Sequence, residues 1–176
     1  MGNNLNTTVI MREVQYFRQV WMLLLCLIPS AFVLYMAVQQ LVFKHPMGNN
    51  PASDTVMVIL AVVFGILLPV FILSTHLTTE VRQDGLYIRF FPFHVRTKKI
   101  SLEDIALCEA VTYRPIRDYG GYGIRYGRKG KAYNVSGSRG IRIEYAGGKK
   151  LLIGSQDPEA LLQSLQAFVQ KVNTEK

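Results

Sequence analysis

Two long runs of apolar residues dominate the first half of the chain. The run at residues 20–42 contains no charged residue, and neither does the run at residues 56–73. At a helical rise of about 1.5 Å per residue, the first run exceeds the roughly 30 Å hydrocarbon core of a bilayer, and the second nearly matches it. The pattern therefore predicts a transmembrane hairpin over residues 20–76, with helices at about 20–43 and 56–76.

The interruptions in these runs are compatible with membrane helices. Pro29 and Pro69 lie inside the runs, where a bilayer tolerates a local kink. Residues 44–55 are rich in proline, glycine and asparagine, which indicates a short connection between antiparallel helices. A signal peptide and a pair of buried soluble helices are the alternatives. The first run is long for a signal peptide, and neither run has the polar face of a soluble helix.

Basic residues near the ends of the runs predict the orientation. Arg12 and Arg18 precede the first helix, whereas the connection contains only Lys44. Five more basic residues follow the second helix: Arg82, Arg89, Arg96, Lys98 and Lys99. Because Lys and Arg near helix ends favour the cytoplasmic side, both termini are predicted to be cytoplasmic. The chain is then a multi-pass protein of the cell membrane, and residues 1–19 form a cytoplasmic N-terminal segment.

From residue 77 the apolar pattern changes from continuous to alternating, which predicts β-strands. Strands are expected at residues 77–81, 86–91, 94–100, 105–113, 132–135, 140–145 and 149–153. Asp157, Pro158 and Glu159 then supply an N-cap, a first-turn proline and a first-turn acid, so a helix is predicted at about 157–172. Residues 77–176 are therefore predicted to form an α+β domain, a small antiparallel β-barrel or sandwich closed by a C-terminal helix.

This order of elements after a membrane hairpin resembles the membrane-anchored bacterial proteins that carry a pleckstrin-homology-like domain. Three segments carry the closest likeness: YGGYGIR at 119–125, AYNVSG at 132–137 and LIGSQ at 152–156. They resemble an uncharacterised family of small bacterial and archaeal membrane proteins, and the likeness covers most of residues 20–172. The resemblance implies a fold, a topology and a role as a binding module, and it supplies no catalytic residues.

The net charge of +8 is concentrated in the second part of the chain. Residues 81–176 contain seventeen Lys/Arg and nine Asp/Glu, while residues 1–80 contain three of each kind. Residues 114–139 stand out, with six glycines, seven Lys/Arg and four tyrosines. Glycines let backbone amides approach an anion that the cations neutralise, although a long hairpin loop with solvated charges is the alternative. The predicted contact residues for an anionic ligand or partner are Arg125, Arg128, Lys129, Lys131 and Arg139.

Other chemistry has weaker support in the sequence. Residues 121–126 are one residue short of an RNA-recognition strand motif and lack the third glycine of GxGxxG, so nucleic-acid binding is not favoured. Cys26 and Cys108 belong to no Cys/His pattern, and no metal or cofactor is predicted. The three histidines have no evident catalytic partner, and no GxSxG frame is present, so the protein is predicted not to be an enzyme.

The sequence thus favours a non-enzymatic, membrane-tethered binding or scaffold module whose basic face contacts anionic lipid headgroups or an acidic partner protein. One alternative is a structural subunit of a larger membrane complex, whose hairpin packs on partner helices through Gly65 and other small residues. A second alternative is an enzyme at the membrane surface with a site near His76 and His94.

Overall fold

A computed structural model of the chain describes residues 8–127 and 129–174, with side chains up to residue 168. The chain divides into two compact units. The helical unit is Phe17–Thr75, and the β unit combines Met1–Tyr16 with His76–Lys176. This division differs from the predicted one, because residues 9–16 belong with the β domain rather than to a separate N-terminal segment.

The helical unit contains helix α1 at Val20–Leu41 and helix α2 at Asp54–Ser74. Both helices are long and apolar enough to cross a membrane. The Ser53 hydroxyl caps α2 by accepting the Val56 N–H at 3.4 Å. Gln40, buried near the end of α1, donates to the Ala52 carbonyl at 2.7 Å and to the Asp54 carboxylate at 2.9 Å. These bonds fix the connection between the helices.

The middle of α2 widens into a π-helical segment at Ala61–Leu67. Pro69 follows this segment, and a proline lacks the N–H and crowds the carbonyl four residues earlier, at Gly65. A π-turn accommodates the proline because each N–H bonds to the fifth preceding carbonyl, as the N–H of Leu68 does with Val63. The helix therefore accommodates Pro69 by forming a π-helical segment before it.

Gly65 lies at a tight contact between the two helices. It is buried, and a Cβ added at this position would lie 2.5 Å from Cδ2 of Leu34 on α1. Gly65 thus serves packing within the hairpin. The structural-subunit alternative expects Gly65 to contact a partner helix. Its burial against Leu34 contradicts that role for Gly65.

The β unit begins with a four-stranded antiparallel sheet, sheet A. Its strands are β1 at Val9–Tyr16, β2 at His76–Arg82, β3 at Gly85–Phe91 and β4 at Lys98–Ile100, in that spatial order. Tyr16 pairs with His76, so the chain leaves the sheet at the end of β1 and returns to it directly opposite. The helical hairpin is an insertion between two paired strands.

A second sheet, sheet B, has five strands. They are β5 at Ile105–Thr112, β6 at Gly123–Gly127, β7 at Gly130–Asn134, β8 at Arg139–Tyr145 and β9 at Lys150–Gly154. Their spatial order is β5-β8-β9-β7-β6, with β7 and β9 parallel. Helix α3 at Pro115–Tyr119 lies between β5 and β6, and helix α4 at Pro158–Thr174 ends the described chain.

The predicted β-rich domain after two apolar helices is confirmed, but of the two predicted forms, barrel or sandwich, the closed barrel is wrong. The described strands form two separate sheets, and the parallel pair makes sheet B mixed rather than purely antiparallel. The strand expected at 94–100 is reduced to three residues, because the chain turns back at His94, whose N–H donates to the Phe90 carbonyl at 2.7 Å. Residues 114–131, for which no helix or strand was predicted, contain α3 and β6.

The inner faces of the two sheets and α4 form the core. Leu77, Phe90, Ile141 and Leu152 are all almost fully buried. Leu161 on α4 is fully buried as well, and this helix contacts β5 and β8. The helix extends two residues beyond its predicted end at residue 172.

Glu13 bonds β1 to the chain just after β9. Its carboxylate accepts the Ser155 hydroxyl and the Gln156 N–H, each at 2.6 Å. The neighbouring Gln15, only 1% exposed, donates to the Gly154 carbonyl at 2.7 Å. Glu13 and Gln15 can therefore be polar inward residues of β1, because the C-terminal half of the domain supplies their partners.

Candidate anion-binding site

The predicted contact residues do not form one cluster. Arg139 makes an ion pair with Glu159 on α4. Arg125 is exposed and donates from Nε to the Tyr122 carbonyl at 2.8 Å. Arg128 lies outside the described residues. Within the part of the chain that the structure describes, Lys129 and Lys131 are the predicted residues that share a cavity.

This cavity is an open groove of ≈ 810 Å³ in the β unit. Its walls come from β3 and β4 on one side and from β6, β7 and the start of β9 on the other. Six lysines line it: Lys98, Lys99, Lys129, Lys131, Lys149 and Lys150. Three tyrosines join them, Tyr126, Tyr133 and Tyr145, and no Asp or Glu among the described residues lines the groove. We call it the lysine–tyrosine groove.

The parallel pairing of β7 with β9 builds one wall of the groove. Lys131 pairs with Leu151, which places it beside Lys150 and the turn that precedes β9. The strands approach so closely at their start that a Cβ on Gly130 would collide with the Lys150 carbonyl. Gly130 also has a φ of +103°, which favours glycine. The glycine is thus required for the two lysine-bearing segments to meet.

Carboxylates outside the groove neutralise only half of the lysines. The three ion pairs are Lys99–Asp84 at 2.6 Å, Lys129–Asp118 at 3.1 Å and Lys150–Glu144 at 2.6 Å. Lys98, Lys131 and Lys149 have no ion pair with any described residue. Exposed ion pairs contribute only about 0–1 kcal/mol each, so the paired lysines can also exchange partners at low cost. The groove is therefore an electropositive site.

Lys131 occupies the centre of an aromatic arrangement. Its Nζ lies 4.8 Å from the ring centroid of Tyr126 and 4.7 Å from that of Tyr133. Burial lowers the pKa of Lys131, but hydrogen bonds to the two tyrosines outweigh it, so the pKa is raised overall. The Lys98 ammonium donates to the Tyr133 hydroxyl at 3.4 Å. Tyr133 thus links two cations that have no carboxylate partner among the described residues.

His94 lies against the groove through Tyr133. The two rings meet edge to face with centroids 5.3 Å apart, and His94 Nδ1 accepts the Phe90 N–H at 3.3 Å. Burial lowers the pKa of His94, and the charges of Lys98 and Lys131 lower it further. His94 is therefore neutral at physiological pH, and its pKa depends on the positive charge of the groove lysines.

This shift predicts how stability depends on pH. The pKa of His94 in the folded chain lies below the usual value of 6.5, so the unfolded state binds the proton more readily. Neutral His94 contributes to the free energy of unfolding fully above pH 6.5, and this contribution is lost as the pH falls through the pKa of His94 in the folded chain. We expect His94→Gln to reduce the decrease in the thermal midpoint of the detergent-solubilised chain between neutral and mildly acidic pH. Parallel pH profiles for the two proteins would contradict this.

His76, which belongs to the enzyme alternative, and Cys108 do not line the groove. The His76 ring lies between Tyr16 and Phe91, with centroids 5.1 and 5.3 Å away. Burial, with a smaller effect of Glu109, raises the pKa of the Cys108 thiol to about 12. Since the thiolate is the reactive form, Cys108 is a poor nucleophile at neutral pH.

Sequence reasoning identified two of the groove lysines and missed the other four as site residues. The missed residues form two consecutive pairs, Lys98–Lys99 and Lys149–Lys150, each at the start of a strand. Such pairs are visible in the sequence. Their convergence depends on the pairing of β7 with β9 and on the position of β4, which the apolar pattern does not reveal.

Comparison with known proteins covers both units of the chain. The family model described as "Family of unknown function (DUF6141)" matches residues 3–172. The chain belongs to this family. The predicted resemblance to an uncharacterised family is thereby confirmed, and the match includes β1 and the hairpin together with the β domain. A search of curated proteins returns no match.

Proposed function

We propose that the protein is a non-enzymatic, membrane-tethered binding module whose lysine–tyrosine groove holds an acidic segment of a partner protein. One observation carries the proposal: six lysines converge on a groove that no described carboxylate lines, and three of them lack an ion pair. A pleckstrin-homology-like character, with α4 closing one end of the two sheets, is part of the proposal, because such folds serve mainly as binding modules.

The membrane tether rests on the hairpin and on chain connectivity. The two helices have the length and composition of membrane spans, and the strands that flank them pair with each other in sheet A. A hairpin that crosses the bilayer twice brings both flanking strands to the same side. The excess of basic residues near those ends favours the cytoplasm for both termini.

Several features support an acidic protein segment as the ligand. Lys99, Lys129 and Lys150 already bind carboxylates at the rim, so the groove suits this functional group. Strand β4 lies at the edge of sheet A, where an extended peptide can add backbone hydrogen bonds. Tethering also raises the effective concentration of a partner in the same membrane, so modest affinity for the groove is sufficient.

An anionic lipid headgroup in the same groove is the second candidate. Tyr126 is 76% exposed beside Lys131, and exposed aromatic residues next to cations are typical of membrane–water interfaces. An acidic peptide and an anionic lipid would both bind the lysines of the groove. Competition between the two ligands therefore distinguishes the candidates.

The test uses the full chain in a neutral detergent and a fluorescent glutamate-rich peptide. We expect anisotropy to show binding that weakens with salt, and the same peptide with glutamine at every glutamate position should not bind. Displacement of the peptide by short-chain phosphatidylglycerol but not by phosphatidylcholine would favour the lipid candidate. If neither the peptide nor the anionic lipid binds, the proposal fails.

A further inference from the structure

The outward face of sheet A carries a cross-strand row of three rings. Tyr16, His76 and Phe91 are paired in register on β1, β2 and β3. The His76 ring is stacked on that of Phe91 at 5.3 Å and 24° from parallel, and it lies 5.1 Å from the ring of Tyr16 at a tilt of 39°. The adjoining residues Leu77 and Phe90 are buried on the opposite face, so the row points away from the core. We call these three residues the aromatic row.

The chain connects this row directly to both helices. Tyr16 is four residues before the start of α1 at Val20, and His76 is two residues after the end of α2 at Ser74. At about 3.5 Å per residue at most, these connections allow only about 14 Å and 7 Å of extended chain. If the helices span a bilayer, the aromatic row must stay near the membrane surface.

The chemistry of the face changes in order along the strands. Next to the aromatic row comes Arg89, which is exposed, lies over the Phe91 ring at 5.7 Å and has no ion pair with a described residue. Further along, Glu80 binds Arg12 at 3.4 Å and Arg82 at 2.6 Å, which balances much of their charge. The order is therefore aromatic, then unpaired cation, then neutralised ion pairs.

This order matches the layers of a membrane surface. Tyrosine and other amphipathic rings favour the level of the headgroups, and arginine binds phosphate oxygens with two parallel hydrogen bonds. A small cavity of ≈ 240 Å³ lies on this face, lined by His76, Thr78 and Arg89 at one end and by the Glu80 ion pairs with Arg12 and Arg82 at the other. The ion pairs of Glu80 suit the aqueous side.

We propose that the aromatic row and Arg89 form a second binding surface, which contacts the phosphate groups of the phospholipids around the hairpin. This inference rests on the membrane-spanning part of the proposed function and not on the lysine–tyrosine groove. The contact would hold the β domain in one orientation at the bilayer and leave the groove free for its ligand.

Photocrosslinking of the full chain in lipid nanodiscs tests this surface. A photoreactive phenylalanine replaces Phe91 in one variant and Tyr87 in another; the two positions lie on the same face of β3, about 13 Å apart. A third variant carries it at Phe32, an exposed residue of α1. We expect lipid adducts at positions 91 and 32 and several-fold fewer at position 87.

Each other result overturns the inference in a recognisable way. Equal yields of lipid adducts at positions 87 and 91 would contradict the layered order. Adducts between position 91 and a second copy of the chain would show that this face contacts protein. Lipid adducts at position 32 alone would support the membrane tether but contradict the proposed lipid contact of the aromatic row. If position 32 fails as well, the tether itself is wrong. In nanodiscs with phosphatidylglycerol, Arg89→Gln should lower the adduct yield at 91, whereas Arg139→Gln, whose cation pairs with Glu159, should not.

Discussion

Residues 76–176 alone should fail to form a stable β domain, whereas the same residues preceded by β1 should fold. Without β1, the β2 edge of sheet A is open, and the hydrogen bonds of Glu13 and Gln15 to residues 154–156 disappear. Hydrogen bonds to a charged group contribute about 1.5–3 kcal/mol each. The loss of two such bonds at Glu13 alone is a large part of the roughly 5–15 kcal/mol that stabilises a domain.

The register of sheet A offers a direct way to measure this effect. Because Tyr16 and His76 face each other, a two-residue Asn-Gly turn can join them in place of the hairpin. We expect the joined chain, residues 8–16 and 76–176, to unfold in one cooperative thermal transition followed by circular dichroism. The shorter chain without β1 should show no such transition. Equal midpoints for the two chains would show that β1 is dispensable.

A single substitution separates the Glu13 contacts from the strand itself. In the full chain, Glu13→Ala leaves the Ser155 hydroxyl and the Gln156 N–H without their acceptor. Arg12→Ala is the matched control, because Arg12 is the adjacent residue on the same strand and its side chain is 62% exposed. Glu13→Ala should lower the thermal midpoint clearly more than Arg12→Ala does.

Loss of the unpaired lysines should abolish most of the binding to the groove. Lys98→Gln and Lys131→Gln each remove a cation that has no carboxylate partner among the described residues. An ion pair that the bound peptide shields from water contributes roughly 1–2 kcal/mol to the free energy of binding. Each substitution should therefore weaken binding of the glutamate-rich peptide about tenfold. The double variant should bind more weakly than either single variant, but by less or more than about 100-fold, because both lysines contact Tyr133 and their effects are coupled. Anisotropy titration of the detergent-solubilised chains measures both values.

Two further variants distinguish the groove from a general effect of charge. Arg139→Gln removes one positive charge outside the groove and should leave the affinity unchanged. Glu144→Gln releases Lys150 from its ion pair and should strengthen peptide binding. A gain of affinity at an unchanged thermal midpoint would exclude partial unfolding as its cause. If Arg139→Gln weakens binding as strongly as Lys131→Gln, the contact surface is the one predicted from the sequence and not the groove.

The parts of the fold that the sequence revealed are those with an unambiguous apolar period. The uncharged runs predicted both helices, and regular alternation predicted β2, β3 and β8 close to their observed bounds. Strand β1 was missed because its inward positions include Glu13 and Gln15, whose partners lie about 140 residues further along the chain. A strand with polar inward residues resembles a solvated segment until those partners are known.

The candidate site was only partly predictable for a similar reason. The glycine-rich basic stretch at residues 114–139 pointed to Lys129 and Lys131, but it also pointed to Arg139, whose strand carries it to Glu159 instead. Gly130 is readable in the sequence as a turn residue. Its close approach to the Lys150 carbonyl exists only because β7 and β9 run parallel, and such long-range pairing leaves no local pattern.

The pairing of β1 with β2 across the hairpin also has a consequence for synthesis of the protein. β1 leaves the ribosome first and remains without its partner until both helices have been made. A chain in which only one helix crosses the bilayer would have β1 and β2 on opposite sides, where sheet A cannot assemble. In the proposed membrane topology, completion of sheet A therefore requires that both helices cross the bilayer.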